Sequence, residues 1–267
     1  MSNITNARCV VLLTFDFDAE SAQVRKTPDL PVELSKGQFG ARVGVNRILE
    51  FLNRRGIKAT FFVPGWTADH YPKQTKDIIQ HGHEIAAHGY LHENFSEMTA
   101  RDEWKAIRKS VDSLTRLLGA RPTGFRAPYW DWSKRTLGYL RKIGFRYDSS
   151  LMSDDKPYPI TEGSGGMYEL PVDSFLDDWP LFEIQHQSPG NVLDSWRREF
   201  NATYDLGTGY FMLTMHPECI GRASRMDMLG ELVSEVLQKR DVVFARCDQL
   251  VEALAKRLRS DMDSQKH

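Results

Sequence analysis

Short apolar runs and stretches with a helical period take turns along nearly the whole chain. Runs at residues 9–15, 58–63, 84–87, 123–125, 145–147, 167–172, 210–215 and 242–245 read as strands. The first, Cys-Val-Val-Leu-Leu-Thr-Phe, is apolar on both faces, as a strand covered on each side must be. Between the strands, Val45, Ile48, Leu49 and Leu52 recur at the helical period, and Gly56 stops that helix. Thr99 reads as the cap of another helix, with acids in its first turn, and Ser133 as the cap of the next. Such alternation predicts a parallel sheet. About seven strand–helix units fit one α/β barrel better than two open sheets. The 267 residues suffice for one barrel and contain no repeat or linker, so we expect a single unit over 1–267 with its core at about 9–258. Residues 20–42 hold Pro28, Pro31, Gly37 and Gly40 and read as a long loop, a lid or binding loop. Gly163, Gly165 and Gly166 mark another loop.

In a barrel, residues at strand C-terminal ends face the functional mouth. Chemistry-bearing side chains collect there. Asp16 and Asp18 end the first strand two residues apart, so they point the same way. His88 and His92 follow residues 84–87, and their spacing predicts one turn of helix with both rings on one side. Arg126 follows 123–125, and His216 follows 210–215. Two carboxylates side by side are costly unless a cation or a shared proton relieves them.

Taken as ligands, Asp18, His88 and His92 make a two-His, one-carboxylate set that suits zinc or another first-row divalent ion. Asp16 is then placed as general base, and His216, from another strand end, as the acid for a leaving nitrogen. Arg126 could orient Asp16, and the Tyr129 N–H could support an oxyanion. These parts suit amide hydrolysis. Trp66, Tyr129, Trp130 and Trp179 could stack on a sugar face or close over a flat ring. The formal net charge of −1, with no basic run, does not suggest a nucleic-acid surface, and we expect no nucleic-acid partner. The run 9–15 is too short to span a bilayer and no targeting segment is visible, so we expect a cytoplasmic protein with no membrane partner. The cysteines, Cys9, Cys219 and Cys247, fit no zinc or redox spacing.

The motifs resemble those of the polysaccharide deacetylases of the NodB-homology type. Thr14-Phe-Asp16-Phe-Asp18 is similar to their first motif, His88-Gly-Tyr-Leu-His92 to the second and Arg126-Ala-Pro128-Tyr129 to the third. Asp173 to Trp179 loosely resembles the fourth, and Leu213-Thr-Met-His216 the fifth. The resemblance runs from about 9 to 250 and implies an irregular (β/α)7-type, TIM-like barrel and a metal-dependent N- or O-deacetylase. It implies Asp16 as base, Asp18, His88 and His92 as ligands, His216 as acid and Arg126 as tether of the base. Phe17 departs from the family's adjacent aspartates, which leaves the roles of Asp16 and Asp18 open to exchange. Val63-Pro-Gly-Trp66 and His88-Gly-Tyr-Leu-His-Glu-Asn94 resemble a cytosolic branch that includes peptidoglycan deacetylase-like proteins, cyclic imide hydrolases and metal-independent allantoinases. That branch implies a homo-oligomer, a dimer or tetramer. The expected function is therefore a metal-dependent hydrolysis of non-peptide C–N bonds, with zinc as the expected ion, on an N-acetyl amino sugar or, as the alternative, on a small cyclic amide or imide. A non-catalytic ligand-binding barrel is the alternative of another class.

Overall fold

The structure, a computed structural model, describes residues 4, 6–160, 166–207 and 209–264. Gly163 and Gly165 lie outside the described residues. The strands are β1 (Cys9–Asp16), β2 (Thr60–Val63), β3 (Glu84–Ala87), β4 (Gly124–Phe125), β5 (Tyr147–Asp148), β6 (Tyr158–Pro159), β7 (Tyr168–Glu169), β8 (Tyr210–Met215) and β9 (Val242–Phe244). Across the sheet they run β6-β7-β5-β4-β3-β2-β1-β8, and β9 pairs with the first half of β1. Every pairing is parallel except β6 with β7. A parallel bridge between Asp177 and Thr214 brings the chain after β7 to β8, which curls the sheet toward closure. The result is the α/β barrel expected from the alternation, of the irregular kind that the resemblance implies.

β1 shows why the apolar runs look unbroken. Cys9, Val11, Leu13 and Phe15 pack outward into the large core shared with the helices. Val10 and Leu12 belong to a second core with Phe62, Ala86, Tyr147 and Met212, inside the barrel. Side chains alternate along a strand, so Thr14, Asp16 and Asp18 continue the inward-facing series of Val10 and Leu12. Both aspartates are thereby aimed into the barrel mouth.

Residues 20–42 are not the expected loop. They form α1 (Ser21–Lys26) and α2 (Pro31–Phe39), and a π-helical turn at Gly40–Gly44 leads into α3 (Val45–Arg55). Pro31 sits at the first position of α2, where its missing N–H costs nothing. The glycines serve close packing. A Cβ on Gly37 would stand 2.4 Å from the Ala19 carbonyl oxygen, and one on Gly44 2.0 Å from that of Pro217. The remaining helices are α4 (Gly65–His70), α5 (Pro72–Gln80), α6 (Ala100–Leu118), α7 (Thr136–Ile143), α8 (Pro189–Leu206), α9 (Pro217–Ile220), α10 (Ala223–Val236) and α11 (Cys247–Ser264). Thr99 caps α6 as expected, accepting from Asp102 N at 3.2 Å. Ser133 does not cap α7, whose N-cap is Arg135; its hydroxyl instead bonds the buried Glu103 carboxylate.

Candidate active site

Asp16 is clamped from the barrel interior. Its Oδ1 accepts from Arg126 Nη1 at 2.7 Å. Arg126 follows β4 and is fully buried. Its Nε donates to Ser149 O at 3.0 Å, Nη2 to Ser149 Oγ at 2.9 Å and Nη1 also to Thr14 Oγ1 at 3.0 Å. Phe62 lies under the guanidinium, 4.0 Å from ring centroid to Cζ. A buried guanidinium is tolerable only when its donors are met in this way. Its position fixes Asp16 and leaves Oδ2 facing the cavity, 3.7 Å from His88 Nε2 and 4.0 Å from His216 Nε2.

His88 and His92 do converge, but not through a turn of helix. β3 stops at Ala87, and Gly89 (φ +67°) and His92 (φ +52°) both adopt left-handed backbone. The loop, not helical rise, brings the ring centroids to 5.1 Å. His88 Nδ1 lies 2.8 Å from the Arg126 carbonyl oxygen. A carbonyl only accepts, so Nδ1 carries the proton and Nε2 presents its lone pair. That Nε2 is 3.6 Å from Asp18 Oδ1, and His92 Nε2 is 3.1 Å from Asp18 Oδ2. One donor atom from each of Asp18, His88 and His92 falls within 4.8 Å of the others. Asp18 Oδ1 is buried without a hydrogen-bond partner. Burial pushes the His88 imidazole down, toward the neutral form a cation needs. Burial opposes ionisation of Asp18, but His92, facing and hydrogen-bonded to it, holds the carboxyl below its ordinary value. An orphaned carboxylate oxygen, two imidazoles and full burial fit a divalent cation.

His216 stands on the opposite wall, directly after β8. Asp178 Oδ1 lies 2.7 Å from its Nδ1, and the His216 backbone N–H donates to both Asp178 oxygens at 3.1 and 3.0 Å. Burial opposes the imidazolium, yet the charges of Asp177 and Asp178 prevail and raise His216 well above the ordinary histidine value. Neither aspartate stands out in the sequence beyond the weak 173–179 resemblance, because they lie on an irregular segment with no strand to mark its end. Glu218, buried two residues past His216, carried no signal either.

These groups form the floor of a cavity of about 570 Å³. Gln23, Lys26, Thr27 and Glu33 of the α1–α2 segment wall one side, and Trp179, Pro180 and Ile184 another. Tyr129 and Trp130 line it from a loop held at φ +59° and +54°. The Tyr129 ring packs edge-on against His92 at 4.5 Å, and its hydroxyl accepts from Arg25 at 3.3 Å. Trp66 does not line this cavity. It sits at the start of α4 and stacks on His70, one helical turn on, at 3.9 Å.

Residues 4–147, just over half of the chain, match the family model described as polysaccharide deacetylase. This chain belongs to the polysaccharide deacetylase family. The chain is 29% identical over 262 residues to the peptidoglycan deacetylase of Helicobacter pylori, covering 86% of this chain and 89% of that protein. It is 37% identical over 260 residues to a peptidoglycan deacetylase-like protein of Gibberella zeae, covering 81% of this chain and 77% of that protein. A crystal structure assigned to a polysaccharide deacetylase of Mycobacterium smegmatis superposes with a TM-score of 0.88 at 38% identity, over 94% of this chain and 91% of the other. A crystal structure of an allantoinase has a TM-score of 0.83 at 21% identity, over 92% and 90% of the chains, a likeness of fold. No helix among the described residues is long and apolar enough to cross a membrane.

Proposed function

We propose that this protein is a metal-dependent hydrolase of non-peptide carbon–nitrogen bonds that removes N-acetyl groups from an amino sugar or a related amide. One arrangement carries the proposal. Asp18, His88 and His92 converge on one point, with a clamped Asp16 beside them and His216 across the cavity, all five buried. A divalent cation held by Asp18, His88 and His92, Zn2+ for a set with an open position, supplies Lewis acidity to an acyl oxygen and to water.

The chain's own residues do the rest. Asp16 Oδ1 is taken by Arg126, so Oδ2 is the oxygen free to accept the proton of the attacking water. His216 has its Nδ1 tied to Asp178, so Nε2 carries the transferable proton. That proton goes to the amide nitrogen as the carbon–nitrogen bond breaks, because an amine leaves only when protonated. The backbone N–H of Tyr129 is the candidate donor to the oxyanion. Water adds to the carbonyl carbon, and the products are a carboxylate and an amine.

The relatives' names, peptidoglycan deacetylase and polysaccharide deacetylase, support an acetylated sugar polymer as the substrate class. The walled cavity supports a second reading, a small cyclic amide or imide, since α1 and α2 stand over one side of the floor. Turnover of chitooligosaccharides and of succinimide, before and after chelation and after zinc is returned, tests both. We expect activity on one of the two, lost with the metal and restored by zinc. Full activity after complete metal removal would sink the mechanism.

A further inference from the structure

Glu218 is a buried carboxyl in the cavity wall that the proposed chemistry leaves unused. It follows His216-Pro217 in the short helix α9 and is 6% exposed. Its Oε2 is buried without a hydrogen-bond partner. No lysine, arginine or histidine among the described residues is within ion-pair distance of it. Nor does it belong to the convergent group of Asp18, His88 and His92. Its place is nonetheless prepared. A Cβ on Gly40 would stand 2.8 Å from Glu218 Oε2 and 3.0 Å from Glu218 N, so the missing side chain at position 40 makes room for this carboxyl. Oε2 is packed against Gly40, while the same residue lines the cavity, where a buried carboxyl is met by what fills the space.

We propose that Glu218 is a specificity-determining residue whose carboxyl accepts a hydrogen bond from an N–H or O–H of the substrate beside the scissile amide. This rests on the cavity being the hydrolytic site. A carboxyl keeps at least one accepting oxygen whether or not it is protonated. The donor it selects is a sugar hydroxyl flanking an N-acetyl group or a ring N–H flanking a cyclic amide carbonyl. A site built around such a bond rejects an analogue without the donor far more strongly than an apolar pocket rejects an extra methylene.

The test uses the zinc-loaded full chain, Glu218→Ala and Glu218→Gln. Two probe pairs are titrated by ligand-observed NMR and assayed for turnover. One is N-acetylglucosamine with its 3-O-methyl derivative, the other hydantoin with 1-methylhydantoin. We expect the wild type to prefer one parent over its methylated partner, and the responding pair identifies the donor. Glu218→Ala should weaken that parent about ten- to a hundredfold. The methylated analogue, the zinc affinity and the melting temperature should stay put. Glu218→Gln keeps the volume and one accepting oxygen, so it should fall between the two and carries the test if the alanine variant does not fold. Equal losses for parent and analogue, a fall in zinc affinity, or no binding of any probe to the wild type overturns the assignment. Binding with the expected discrimination but no turnover refutes the hydrolase reading and leaves Glu218 in its role.

Discussion

At the scale of single residues, the strand-end groups were legible and their supports were not. Asp16, Asp18, His88, His92, Arg126 and His216 are chemically distinctive and follow apolar runs, so residue type and position together expose them. Asp178 touches His216 at 2.7 Å but sits on the irregular chain after β7, where no pattern says which of Asp173, Asp177 and Asp178 turns inward. Trp66 misled for a related reason, since its ring direction is set by α4 packing and not by its nearness to a strand end. Asp178 makes a sharp prediction. Its charge, with that of Asp177, raises His216, and a raised acid stays protonated to higher pH. Asp178→Asn should therefore move the alkaline limb of the pH–rate profile to lower pH and cut kcat by about 10²–10⁴-fold. A pH profile of kcat for both proteins checks this. An unmoved alkaline limb would place the proton on another group.

At the scale of elements, the signals that failed were those with two physical meanings. Glycine and proline in 20–42 read as loop markers because both break helices. Here Pro31 starts α2, and Gly37, Gly40 and Gly44 let the segment press against Ala19, Glu218 and Pro217. Sequence spacing cannot separate a glycine that bends the chain from one that admits a neighbour. The interlocking matters for the site, since Pro217 and Glu218 follow His216 directly. Gly44 has ordinary helical backbone (φ −59°), so alanine there meets only the neighbouring backbone. Gly44→Ala should cost about 1–3 kcal/mol by overpacking and lower activity with it. Gly138 is the control. It lies inside α7 with nothing within 4 Å of a Cβ, and Gly138→Ala should add about 0.4–1 kcal/mol with activity unchanged. Urea midpoints for the two variants decide. A neutral Gly44→Ala would show the contact of the π-helical turn with α9 to be pliable.

At the scale of the whole molecule, alternation made the parallel barrel legible, whereas its closure was not. β4 to β7 contribute two residues each and β6 runs antiparallel, too little pattern to read. The barrel's two ends also divide their labour. At the mouth, buried carboxylates line the cavity. At the opposite end, Glu84 begins β3 and accepts from Thr60 Oγ1 at 2.7 Å, Tyr147 hydroxyl at 2.8 Å and Asp248 N at 3.0 Å, which ties β2, β5 and α11 together. Burial, with the charge of Asp248 behind it, pushes Glu84 up to about 7. A carboxyl raised above its unfolded value of 4.5 binds its proton more tightly when folded. Its contribution is thus fully present below about 4.5 and is lost as pH rises through about 7, a swing of up to about 3 kcal/mol. Glu84→Gln keeps the shape of the neutral acid and an acceptor for Thr60 and Asp248, and it cannot ionise. The wild type should therefore lose more stability than the variant between pH 5 and 8 in urea unfolding, by about that amount. Parallel curves for the two proteins would mean that Glu84 ionises without cost, and that the hydrogen bonds from three elements, not its proton, hold this end of the barrel.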